Sequence, residues 1–88
     1  MTKSIYRYEV PVDDKPHTLE LSGEIVHVAT RDSASVEVWA WHTGGHTIER
    51  AFQVVGTGQP LPEGWTRHVG TAIAPGGRLV WHLLEGAW

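Results

Sequence analysis

Turn signals recur along this chain about every eight to twelve residues, which leaves no room for a long helix. Between them the residues alternate by twos. The cleanest run is 35–42, S-V-E-V-W-A-W-H. On an extended strand Val36, Val38 and Ala40 fall on one side, and Glu37, Trp39 and Trp41 on the other. Residues 4–10, S-I-Y-R-Y-E-V, set Tyr6, Tyr8 and Val10 against Ile5, Arg7 and Glu9. Pro11 and the turn chemistry of Asp13-Asp14-Lys15-Pro16 end that run. H-T-L-E-L (17–21) follows, broken by Ser22-Gly23, and then E-I-V-H-V-A-T (24–30), closed by Arg31-Asp32-Ser33.

Thr43-Gly44-Gly45-His46 reads as a hairpin turn, with 47–55 returning beside 35–42. Ile48, Arg50, Phe52 and Val54 share a face there, which puts an arginine among apolar neighbours. The glycine- and proline-rich loop 56–64 carries the chain between sheets. The final runs, 65–73 and 78–84, flank Ala74-Pro75-Gly76-Gly77. The paired glycines supply the positive φ of a tight turn, and Pro75 stiffens its approach. Counting outward from this turn, Ala72 opposes Trp81 and Thr71 opposes His82. His68 then faces Glu85, so the two histidines are not cross-strand partners. The expected fold is all-β: one domain over 1–88, with about seven short antiparallel strands in a small sandwich or partly open barrel.

A chain of 88 residues buries only about 60–65% of its unfolded surface, so its core is thin. It has no cysteine to supply a disulfide or a thiolate metal site. A second copy is then the leading way to bury more surface. Apolar and aromatic residues also occupy both sides of 36–41 and 79–84, as suits strands covered on both faces. A homodimer or larger homo-oligomer is therefore expected, with Trp81 or the Trp39/Trp41 pair at its interface. The net charge of −3 argues against nucleic acid as partner. No apolar stretch is long enough for a membrane span and no signal peptide is visible, so a cytoplasmic setting is expected.

Chemistry is weakly signalled. The six histidines include none in an H-x-H or H-E-x-x-H pattern, so neither metal nor cofactor is expected. No serine sits in G-x-S-x-G, and the aspartates lie in turns. The domain thus reads as a non-enzyme. Its most unusual feature is its tryptophan content: Trp39, Trp41, Trp65, Trp81 and Trp88. Such rings suit ligand stacking or a protein interface. Candidate binding residues are Trp39, Trp41 and Trp81, with His42 and His46 around the Gly44-Gly45 turn and His82 in the last run. Gly56-Thr57-Gly58 is a candidate anion-binding nest of backbone amides.

The segments Y-R-Y-E-V-P-V-D-D (6–14), F-Q-V-V-G-T-G-Q-P-L-P-E-G (52–64), V-G-T-A-I-A-P-G-G (69–77) and L-V-W-H-L-L-E (79–85) carry a resemblance that spans nearly the whole chain. It resembles a family of short uncharacterised proteins of actinobacteriophages and their hosts. The resemblance implies a phage-type accessory protein inside a host cell, and it carries no functional residues onto these positions. The expected activity is binding of a host protein through an aromatic-rich β surface. The alternatives are an oligomeric sink for a nucleotide-like host defence signal and a minor virion structural protein.

Overall fold

The computed structural model describes residues 2–64 and 66–87. Trp65, the expected first residue of the sixth strand, and Trp88 lie outside the described residues. The chain forms seven strands: β1 (Ser4–Pro11), β2 (His17–Leu21), β3 (Ile25–Ala29), β4 (Ser35–His42), β5 (Ile48–Gly56), β6 (Thr66–Ile73) and β7 (Val80–Gly86). They make two antiparallel sheets, ordered β1-β4-β3 and β2-β5-β7-β6. The sheets do not close on each other, as in a small β-sandwich.

The period-two pattern sets the core. Val10, Val36, Val38 and Ala40 from the three-stranded sheet meet Leu21, Phe52, Val54, Ala72 and Leu83 from the four-stranded one. In β7 the neighbours Leu83 and Leu84 are both buried although they point to opposite faces. This fits the place of β7 between β5 and β6. At the side of the sandwich β3 lies tightly over β6. A Cβ added to Gly70 would sit 2.8 Å from Val28 Cγ2.

The final hairpin keeps the expected register, with Ala72 opposite Trp81 and Thr71 opposite His82. Ala74 N–H donates to Leu79 O at 2.9 Å and closes the loop, with Gly76 and Gly77 at its centre. Gly77 N–H donates to Ala74 O at 2.9 Å, with Pro75 and Gly76 (φ 90°) as the central residues. Proline followed by a positive-φ glycine is the type II pattern.

Two expected connections are corrected. First, 47–55 does not return beside 35–42. β4 already has β1 on one side and β3 on the other, so β5 crosses to the second sheet. This crossover is tied to the one between β2 and β3. Thr43 N–H donates to Ser22 Oγ at 3.0 Å, and Thr43 Oγ1 donates to Ser22 O at 3.2 Å. Second, loop 56–64 does not change sheets. β5 and β6 belong to one sheet, and β7 later fills the gap between them.

Candidate functional site

β4 decides which residues face outward. Its even positions, Val36, Val38 and Ala40, are consumed by the core. Glu37, Trp39 and Trp41 therefore stand on the outer face of the three-stranded sheet. β1 sets Ile5 opposite Trp41, Arg7 opposite Trp39 and Glu9 opposite Glu37. From β3, His27 lies opposite Trp39, their ring centroids 5.4 Å apart. Trp41 is 43% exposed and Ile5 51%, so the apolar end of this face is open to solvent.

The other end is charged yet firmly held. Glu37 is only 3% exposed. Its carboxylate accepts hydrogen bonds from Arg7 and, at 2.8 Å, from Arg31 Nε. Burial opposes ionisation of Glu37, but the hydrogen bonds and charges of Arg7 and Arg31 outweigh it and lower its pKa. Arg7 also pairs with Glu9 at 3.0 Å. The face thus joins an aromatic end to a neutralised cluster of charges.

The remaining candidates lie apart from this face. Trp81 turns inward and packs against the core, and its buried Nε1 has no hydrogen-bond partner. Trp39 and Trp41 are thus the outward-facing tryptophans among the described residues. His42 follows the inward side of β4 beyond the core. It stacks on Tyr6, with centroids 4.0 Å apart and planes 4° from parallel. His46 is exposed in the β4–β5 connection. Gly56 N–H donates to Gln59 Oε1 and Thr57 N–H to Val80 O, so two of the three amides of the Gly56-Thr57-Gly58 loop are engaged within the chain.

His82 belongs to a cluster that the strand count missed. The β6–β7 register shifts between His68 and Gly70, which puts His68 opposite Leu84, not Glu85. The bulge turns His68 onto the face of Thr71 and His82. His68 Nε2 and His82 Nδ1 share a hydrogen bond of 3.1 Å, and Thr71 Oγ1 lies 3.2 Å from both nitrogens. His82 Nε2 meets Thr57 Oγ1 at 2.8 Å. The clue in the sequence was Gly70 inside an apolar run, since a strand-interior glycine often marks a bulge. Among the described residues no group of three or more His, Asp or Glu converges as a metal ligand set.

No curated protein and no solved structure matches this chain. A family model does match, over residues 1–87, and it is described as a domain of unknown function, DUF7352. The chain belongs to the DUF7352 family.

Proposed function

We propose that this domain is a non-enzymatic binding module that docks a partner protein on the outer face of β1-β4-β3. The observation that carries the reading is the orientation of β4, which commits its aliphatic side to the core and leaves Trp39 and Trp41 outward. Buried tryptophans are frequent energetic anchors of interfaces. Here they stand on the central strand of a sheet, a rigid support that lowers the ordering cost of association. The matching partner surface has an apolar centre that covers Ile5, Trp39 and Trp41. Its polar rim meets Arg7, Arg31 and Glu9. In the phage setting that the resemblance implies, the partner is a host protein in the cytoplasm, and the domain acts by occupying it.

The test is affinity capture from actinobacterial lysate with wild type, Trp39→Ala, Trp41→Ala and Ile73→Ala, each first shown to be folded. A specific protein retained by wild type and Ile73→Ala but lost by both tryptophan variants is the expected result. Equal retention by all four would refute the docking face.

A second reading, the small-molecule sink, rests on the cleft that Trp81 lines beside Gly56 and Thr57. Trp81 lines an open cleft of about 470 Å³ with Gly56, Thr57, Gln59, Arg78 and Leu79. Arg78 is the cation there that suits a phosphate group. Calorimetric titration with mononucleotides tests this reading. Binding that Trp81→Phe and Arg78→Ala both weaken would favour it over protein docking, and no heat with any nucleotide would remove it.

A further inference from the structure

We propose that two copies of this chain pair through the free edge of β1, antiparallel and two-fold symmetric about Tyr8. This goes beyond the docking face, which lies on the flat of the sheet and not on its edge. Four strands end the two sheets: β1, β3, β2 and β6. Three of them are poor templates for another strand. β3 shifts register between Ile25 and His27, and β6 does so between His68 and Gly70. β2 has five residues and begins directly after Pro16. β1 differs, since it runs eight residues opposite β4 with no register shift. A long, regular, unpaired edge is the kind that recruits another strand.

The backbone phase shows which groups that edge offers. Val12 N–H donates to Ala34 O at 2.9 Å, in continuation of the β1–β4 register. Antiparallel bonding alternates along a strand, so Val10, Tyr8 and Tyr6 direct their amides and carbonyls at β4. Ile5, Arg7 and Glu9 direct theirs at the open edge.

Charge then selects the register. A two-fold axis at Tyr8 sets Arg7 opposite Glu9 of the second copy, and Glu9 opposite its Arg7. Both pairs fall at positions whose backbone groups are free, so each pair exchanges main-chain bonds as well as charge. Centring the axis on Arg7 or on Glu9 would oppose like charges. On the inner face the same register puts Tyr8 opposite Tyr8 and Tyr6 opposite Val10. Pro11, which has no N–H, falls opposite Ile5 and ends the ladder. The product is a continuous six-stranded sheet that carries the Trp39/Trp41 face twice. The interface expected from sequence at the tryptophans is thereby moved to a strand edge, and the tryptophans stay free for another protein.

Sedimentation equilibrium at micromolar concentration should give twice the 9.8 kDa of one chain. Glu9→Pro removes an outward N–H without touching the β4 ladder, and it should return the mass to that of one folded chain. Glu9→Arg opposes like charges across the axis and should do the same, so the test does not depend on the tolerance of one proline. The chain has no cysteine. In Tyr8→Cys the two new thiols would face each other as a non-hydrogen-bonded pair, with Cα atoms about 4.5 Å apart, within disulfide reach. Mild oxidation should therefore cross-link Tyr8→Cys and leave Ile5→Cys unlinked. A wild-type mass of one chain throughout would overturn the proposal. So would a dimer that survives both Glu9 variants, or one that only Trp39→Ala dissociates. None of these results bears on whether a different protein docks at Trp41, so the two readings fail separately.

Discussion

Glu85 gives the sharpest pH prediction. Its carboxylate accepts from Arg50 Nε at 2.7 Å and from Arg50 Nη2 and Arg67 Nη2, both at 2.9 Å. Hydrogen bonding from Arg50 is the largest cause of its lowered pKa; burial opposes it and Arg67 adds to it. Together they take the carboxyl from 4.5 to about 2. At about 1.4 kcal/mol per pKa unit this corresponds to about 3.5 kcal/mol before any allowance for solvent screening. Arg67 is 54% exposed and the cluster sits at the rim of the sandwich, so screening reduces the figure to about 1.5–2 kcal/mol. The folded pKa lies below the unfolded one. The stabilisation is therefore complete above pH 4.5 and is lost as pH falls through about 2. Urea melts of wild type and Glu85→Gln read it directly. The variant should be less stable by about 1.5–2 kcal/mol at pH 7, and by pH 3 the gap should be less than half its neutral value. Comparison with the variant cancels the contributions of Asp13 and Glu37, whose pKa values are also lowered. A gap that stays constant between pH 7 and pH 3 would refute the assignment.

Two further predictions concern glycines. Gly70→Ala would place a Cβ 2.8 Å from Val28 Cγ2 and 3.0 Å from Val28 Cβ, so β3 and β6 must part. The expected loss is about 1–3 kcal/mol by denaturant melt, and adding Val28→Ala should recover part of it; strictly additive losses would contradict the close approach. Gly77 sits at φ 73°, so Gly77→Val should cost about 1–3 kcal/mol. Gly77→Asn should cost less, because asparagine tolerates that region, and equal losses would show that backbone conformation is not the cause.

Local features made much of this fold legible in the sequence. Alternation in 35–42 located β4 and its two sides, and Pro75-Gly76-Gly77 fixed the register of the last hairpin down to Thr71 and His82. Arg50 was visible among apolar neighbours because it shares parity with Phe52 and Val54. Its partner Glu85 was not, since that pairing depends on β5 and β7 being neighbours. The same limit explains why 47–55 reads as the hairpin partner of 35–42 although β5 lies in the other sheet. Gly44 does take a positive φ, as a hairpin turn would require. The same local shape also serves a crossover, and the choice is made by the occupancy of both edges of β4, which no local pattern encodes. The β6 bulge is intermediate: Gly70 marked it, but only the close approach of Val28 explains why a glycine is needed there. For Trp39 and Trp41, alternation showed that they share a side. Which side faced solvent depended on how the four-stranded sheet packs over Val36 and Val38.

The central claim is that the outer face of β1-β4-β3 is where another protein docks. The most direct measurement replaces one exposed residue with a photo-cross-linking amino acid, p-benzoylphenylalanine, and irradiates intact cells that produce the protein. Position Trp41 probes the proposed face from the central strand, one strand removed from the β1 edge. Position Ile73, 63% exposed on the outer side of the other sheet, is the control. One discrete cross-linked protein, other than this chain, is expected from Trp41 and none from Ile73. Cross-linking from Ile73 with none from Trp41 would contradict it.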